Sequence, residues 1–279
     1  MLSLEEIIAQ ALLEDVGDGD HTSLACIPQT AQGSAVLTVK EAGILAGVEV
    51  AKQVFFQVDS NLEFRILLND GTPIKPGDVV FEVKGSSRSI LKGERLALNF
   101  MQRMSGIATH TRQLVDLLNG TKTKILDTRK TTPNFRLLEK MAVKIGGGEN
   151  HRFGLYDMMM IKDNHIDFAG GIKQAIDSAQ QYLQQTQKNL AIEIEVRNFD
   201  ELSQVLERGG IQRIMLDNFS TTDLSKAIEL IAKRYETEAS GGITQDTIRA
   251  YAETGVDYIS VGALTHRVRG LDMSLEAKM

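Results

Sequence analysis

A single cysteine, Cys26, is present among the 279 residues. That excludes a disulfide framework and a thiolate zinc cluster, and makes a reducing, cytoplasmic compartment the default expectation. No apolar run approaches a membrane span. The longest stretch without Asp, Glu, Lys or Arg, from His21 to Val39, is broken by Ser23, Pro28, Gln29, Gln32 and Gly33. The opening Met-Leu-Ser-Leu-Glu-Glu lacks the basic segment of a secretory leader. Pro/Ser-rich linkers and low-complexity tracts are missing too. Positive charge is in deficit, with a formal net charge of −6, which argues against a nucleic-acid or anionic-membrane partner. What is present is an ordinary globular composition, 42% hydrophobic and 24% charged, enough for one large domain or two moderate ones.

The charge is unevenly spread. Between Lys122 and Lys162 nine Lys or Arg face four acids, a local balance of +5 that leaves −11 on the rest of the chain. A cationic island in an acidic protein suits a small polyanion, because a duplex or bilayer needs an extended basic face. The basic residues of the 136 to 144 helix, taken alone, read as a solvated face.

After residue 120 one pattern repeats. Short β-rich runs at 123 to 129, 158 to 162, 191 to 196, 213 to 217, 236 to 240 and 258 to 263 alternate with amphipathic helices such as Leu137, Leu138, Met141, Ala142, Ile145 and Leu224, Ala227, Ile228, Ile231. This predicts parallel β/α units, with too few of them for an eightfold barrel. Thr132 followed by Pro133 reads as the N-cap and first turn of a helix. The first hundred residues differ. Helices at 4 to 14 and 48 to 57, β-runs at 34 to 39, 62 to 68 and 79 to 83, and a long helix from 88 to 118 predict an α+β sandwich.

Chemistry-bearing residues collect at the carboxyl ends of the later strands, the face on which β/α barrels carry their sites. Asp127-Thr128-Arg129-Lys130-Thr131-Thr132-Pro133 offers a guanidinium fork for carboxylate and an ammonium for phosphate. Gly146-Gly147-Gly148-Glu149-Asn150-His151-Arg152 adds a permissive backbone with two further donors, and Lys162 ends the next strand. In Ala191-Ile192-Glu193-Ile194-Glu195-Val196 both glutamates point into the barrel, and Asp217 follows one unit later, so Glu195 and Asp217 suit sugar hydroxyls or a hard cation. Ser240-Gly241-Gly242 and Val261-Gly262-Ala263 are turns of the kind that hold a phosphate monoester. Such a site has a phosphate end, a hydroxyl and metal middle, and a cationic carboxylate end. His165 and His110 read as structural, Cys26 and Met158 to Met160 as buried filler.

With Glu14-Asp15, Gly19-Asp20, Arg103-Met104-Ser105-Gly106-Ile107-Ala108-Thr109, DTRKTTP, GGGENHR, IKDNH, EIEV, LDN, SGGI and VGALTH in hand, the chain resembles the quinolinate phosphoribosyltransferase family, also called nicotinate-nucleotide pyrophosphorylase (carboxylating), over nearly its whole length. The resemblance implies an α/β protein of type II phosphoribosyltransferase fold: an N-terminal α/β sandwich (1–108) and an incomplete β/α barrel (109–279), the last residues returning to the first domain. It implies phosphoribosyl pyrophosphate and quinolinate as substrates, Mg2+ as cofactor, and a homodimer or higher oligomer with an active site shared between subunits. Carried over by position, Arg129, His151 and Arg152, with Thr128 beside them, bind quinolinate, and Arg103 reaches in from the partner. Lys130 and Lys162 serve pyrophosphate and the reacting groups. Glu195 and Asp217 serve the ribose hydroxyls and magnesium; Ser240, Gly241, Gly242, Val261, Gly262 and Ala263 hold the 5′-phosphate. A molybdenum-associated paralogue is expected to lack the Lys-Asp-Asn-His run present at 162 to 165. A phosphoribosyltransferase for another base and a non-catalytic anion binder are the rival readings.

Overall fold

The computed structural model describes residues 2–278. The chain begins with α1 (Leu4–Val16), α2 (His21–Cys26), β1 (Gln32–Val39), β2 (Gly43–Ile44), α3 (Val48–Val58), β3 (Glu63–Ile66), β4 (Pro73–Ile74), β5 (Val79–Ser86) and α4 (Ser87–Leu117). There follow β6 (Lys124–Leu126), α5 (Arg136–Ile145), β7 (Met159–Ile161), α6 (Asp163–Ala169), α7 (Ile172–Thr186), β8 (Ile192–Val196), α8 (Phe199–Arg208), β9 (Arg213–Asp217), α9 (Thr221–Ile231), β10 (Glu236–Ser240), α10 (Ile248–Glu253), β11 (Tyr258–Ser260), α11 (Ala263–His266) and β12 (Met273–Lys278). Two compact units result. One comprises the residues up to Arg112, Thr131–Gly147 and the stretch from Ala263 onward; the other comprises Gln113–Lys130 and Gly148–Gly262.

The first unit is built on an antiparallel sheet ordered β12-β1-β5-β3. Its face is covered by α3, whose Val50, Ala51, Val54 and Phe55 are buried. Phe55, Phe64 and Phe81 form an aromatic cluster, with the Phe64 and Phe81 rings 4.4 Å apart. Gly93 of α4 lets that helix approach: a Cβ there would sit 2.9 Å from the Phe55 ring. α1 starts with a reciprocal cap, Ser3 N–H donating to Glu6 and Glu6 N–H to Ser3 Oγ.

Four expectations change here. The sequence places a single cut at 108/109, but α5 belongs to the first unit. It is held there by Arg103, which donates to Glu139 Oε1, and by Gly146, where a Cβ would strike Ala108 and Thr111. That helix is not a solvated basic face, since Glu139 and Lys140 are both fully buried. Nor does Thr132 cap it. The chain makes a turn through Asn134, at φ 61°, and the helix begins only at Arg136; Thr132 N–H and Oγ1 instead both donate to the Glu139 carboxylate. Cys26, expected as filler, is exposed at the end of α2. Among the described residues no helix is long and apolar enough to cross a membrane.

The second unit is a six-stranded parallel sheet ordered β6-β11-β10-β9-β8-β7, matching the six β-runs read from the sequence. A parallel bridge between Leu126 and Glu149 extends it past β6. The strand alternation sorts two environments. Ile192, Ile194 and Val196 of β8 and Ile214 and Leu216 of β9 are buried, as are Leu202 and Val205 of α8 and Leu224, Ala227 and Ile231 of α9. The alternate positions carry Glu193, Glu195, Arg213, Asp217 and Glu238. An α/β sheet with apolar residues on one face of its strands and charge on the other has its chemistry on the charged face.

Candidate active site

The charged face opens into a cavity of about 320 Å³ lined by Thr128, Arg129 and Lys130 after β6, His151 and Arg152, Lys162 after β7, and Glu238, Ser240 and Ser260 of β10 and β11. Seven residues singled out from the sequence therefore share one mouth. Asp127, at the end of β6 and fully buried, organises the approach. Its Oδ1 accepts the His151 N–H at 2.8 Å and its Oδ2 accepts Asn150 Nδ2 at 2.6 Å, which ties the glycine loop to the β6 end. Thr128 Oγ1 accepts the Lys130 N–H at 3.0 Å, fixing the bend that carries Arg129 and Lys130, both exposed.

Electrostatics mark this as a site for anions. Burial lowers the pKa of Arg152 and its neighbour Arg129 lowers it further, so two guanidiniums repel each other in the free protein. Arg152 Nη1 donates to Met158 O at 3.2 Å and Nη2 to Met160 Sδ at 3.6 Å, contacts that direct the side chain along β7. Lys162 Nζ donates to Glu195 Oε2 at 2.5 Å, pairing an ammonium with a carboxylate across β7 and β8. His165 serves structure, as expected: its Nδ1 accepts the Lys162 N–H at 2.9 Å and so closes the start of α6.

Asp217 Oδ2 accepts Asn218 Nδ2 at 2.6 Å, and the Asn218 N–H donates to Ser240 O at 2.8 Å. Gly241, at φ 99°, is required where it stands, since a Cβ would run into Asn218 Oδ1. Gly242 follows, also at positive φ. The other turn differs from expectation in one respect. The Val261 N–H already donates to Leu126 O at 2.9 Å, continuing the ladder instead of facing a ligand. Gly262 closes the second unit, and Ala263 begins α11 in the first.

Arg103, expected to serve a partner's site, is engaged within its own chain. In the first unit its Nε and Nη2 donate to Glu139 Oε1 at 3.2 and 2.7 Å, Nη1 donates to Val268 O at 2.8 Å, and Nη2 also meets Thr265 O. The guanidinium is a clamp within its own chain, and a reach into a second subunit would have to break those bonds.

Three functional candidates were not singled out from the sequence: Glu193, Glu238 and Arg213. Glu193 and Glu238 are fully buried, and His151 Nε2 lies 2.9 Å from Glu193 Oε2 and 3.4 Å from Glu238 Oε2. Arg213 Nη1 stands 3.3 Å from Glu238 Oε2. Burial opposes charge on His151, while the two glutamates beside its Nε2 favour it and raise its pKa. Burial, reinforced by Glu238, raises the Glu193 carboxyl to about 7. The alternation Glu236, Glu238, Ser240 on β10 carried the same signal as Glu193, Glu195 on β8.

Comparison with known proteins agrees with this geometry. Residues 20–105 match the model of the quinolinate phosphoribosyl transferase N-terminal domain, and residues 107–276 match that of its C-terminal domain. The chain is 46% identical over 98% of its length to quinolinate phosphoribosyltransferase [decarboxylating] 1b of Nicotiana tabacum, 82% of which is covered. It is 41% identical over its full length to a probable nicotinate-nucleotide pyrophosphorylase [carboxylating] of Bacillus subtilis, covering 94% of that protein. The crystal structure of NadC from Streptococcus pyogenes superposes with a TM-score of 0.93 at 40% identity, covering 100% of this chain and 99% of that one. With both domain models matched in order and relatives aligned end to end, this chain belongs to the quinolinate phosphoribosyltransferase family.

Proposed function

We infer that the chain transfers the phosphoribosyl group of phosphoribosyl pyrophosphate to the nitrogen of quinolinate, with decarboxylation, giving nicotinate mononucleotide, pyrophosphate and carbon dioxide for NAD biosynthesis. The observation that carries this reading for the molecule itself is the cavity: Arg129, Lys130, Arg152 and Lys162 line one mouth of a protein whose net charge is −6.

The chemistry asks little covalent work of the protein. Pyrophosphate leaves the ribose C1 as the pyridine nitrogen attacks; the 2-carboxylate then departs as carbon dioxide, its electron pair stays on C2 beside the now cationic ring nitrogen, and C2 takes a proton from water. No side-chain nucleophile and no general base are needed. Arg129 and Arg152 hold the dicarboxylate, each charge-assisted bond contributing roughly 1.5–3 kcal/mol. Fixing both substrates in attack geometry contributes roughly 7–11 kcal/mol to the rate. Lys130 and Lys162 neutralise charge on the departing oxygens. Lys162 is held by Glu195 in the free protein, so a ribose hydroxyl that bonds Glu195 releases the ammonium toward the pyrophosphate. Ser240 and the Gly241-Gly242 turn receive the 5′-phosphate.

Magnesium suits Glu195 and Asp217, two oxygen-donor side chains at neighbouring strand ends, because Mg2+ takes one or two protein carboxylates and completes its shell with water and substrate oxygens. Bound there, it would supply charge neutralisation of the pyrophosphate. The proposal extends to a homodimer acting in a reducing, cytoplasmic compartment, the latter supported by the lone exposed Cys26. The test is incubation with quinolinate, phosphoribosyl pyrophosphate and magnesium, following carbon dioxide and nicotinate mononucleotide. Turnover of nicotinate in place of quinolinate, without carbon dioxide, would overturn it.

A further inference from the structure

At the floor of the cavity, with His151 and Glu238 in its lining, lies a charged cluster that the reaction as described leaves unused. Glu193 on β8 and Glu238 on β10 flank the strand that carries Arg213, and neither glutamate has any exposed surface. Burying two carboxylates side by side is unfavourable unless they are paired, and apolar residues of similar size would satisfy the fold at least as well. Their retention calls for a task.

The contacts around them supply one. Both carboxylates converge on His151 Nε2, at 2.9 and 3.4 Å, while His151 Nδ1 accepts the Arg152 backbone N–H at 2.6 Å. An imidazole that accepts at Nδ1 carries its proton on Nε2, so the glutamates select that tautomer and stop the ring from rotating. The same ring thereby fixes the backbone of Arg152, whose guanidinium lines the cavity. Asp127 holds the other side of this segment through the His151 N–H. Arg213 offsets the second negative charge, bridging Glu238 and Glu236 and stacking 4.2 Å over the Tyr258 ring.

We propose that Glu193 and Glu238 are positioning residues for the quinolinate end of the site: by grasping His151 Nε2 from two strands they set the ring and, through its Nδ1, the main chain that aims Arg152. This rests on the reading that the cavity receives quinolinate. The same three side chains lie close enough to bracket a cation, all donor atoms being within 4.8 Å of one another. The Arg213 guanidinium beside Glu238 opposes that use, and the cluster works through the imidazole proton.

The experiment has two arms. In the wild-type protein, 15N spectra of the histidine side chains should show His151 with a slowly exchanging proton on Nε2; a bare Nε2, or one mole of tightly bound transition metal per chain lost in Glu193→Gln, overturns the proposal. This arm needs no variant to fold. In the second arm, Glu193→Gln and Glu238→Gln should each raise the quinolinate KM about tenfold, by analogy with loss of one charge-assisted contact. The KM for phosphoribosyl pyrophosphate should stay within about twofold, the asymmetry that a general loss of stability would not produce. Folded variants with wild-type quinolinate KM, or with both KM values raised alike, also overturn it. Failure of the wild type to consume quinolinate would remove the proposed function instead, and the nitrogen spectra would still judge the cluster.

Discussion

Replacing Arg152 by Gln separates binding from stability in opposite directions. In the free protein Arg152 is half-buried, and both that burial and the neighbouring Arg129 disfavour its charge. Gln ends two bonds short of the Nη1 that donates to Met158 O at 3.2 Å and gives up that bond, while removing the cation that burial and Arg129 disfavour. The apo protein should therefore melt at the same temperature or higher. Quinolinate loses one charge-assisted partner, roughly 1.5–3 kcal/mol, which corresponds to about a ten- to 150-fold rise in KM. Because the lost contact is electrostatic, wild-type KM should rise with ionic strength more steeply than that of the variant. Paired thermal melts and initial rates at varied quinolinate and salt provide the assay. A variant that melts several degrees lower yet keeps the wild-type KM would make Arg152 a structural residue and refute the argument.

Glu139 receives Arg103 and Thr132 in full burial, so Arg103→Ala should destabilise the first unit by about 3–5 kcal/mol, read by chemical denaturation. Mixing Arg103→Ala with Lys162→Ala chains should restore some activity if Arg103 serves the partner's site, and no complementation would leave it the clamp of its own chain alone. Gly241→Ala forces a Cβ against Asn218 at φ 99° and should raise the KM for phosphoribosyl pyrophosphate, at a strain of about 1–3 kcal/mol. Glu195→Ala combined with Asp217→Ala should weaken phosphoribosyl pyrophosphate and magnesium together and leave quinolinate binding to the free protein intact, as calorimetry would show.

The second unit was legible because its signals are local. In Ile192-Glu193-Ile194-Glu195-Val196 alternation alone separates the helix-covered face from the charged one, and each strand repeats the lesson. Strand ends were legible for the same reason, so Arg129, Lys130, Arg152, Lys162 and Ser240 were found and do share a cavity. Long-range partners hid the rest. Nothing near Lys140 or Glu139 announces burial; that depends on Arg103, 36 positions earlier. Arg103 itself sits in a conspicuous motif, and its motif said nothing of the carbonyls of Thr265 and Val268 that occupy it. Glu238 and Arg213 lie one layer below the strand ends, where an alternating pattern shows direction and not depth. His151 was expected as a donor to substrate; it does line the cavity, with Nδ1 toward the Arg152 N–H and Nε2 toward two buried glutamates that alternation alone did not announce.

The pairing of β12 with β1, from Ser34 with Lys278 to Val39 with Met273, bears on how this polypeptide emerges from the ribosome. All of the parallel sheet has been translated before the strand that completes the other, antiparallel one. For most of synthesis β1 is a naked border, offering unsatisfied amides and carbonyls to any stray extended segment. Nascent chains stalled before residue 273 should thus be sticky in a way that released ones are not, and removing the final strand should yield aggregates before it yields an inactive catalyst.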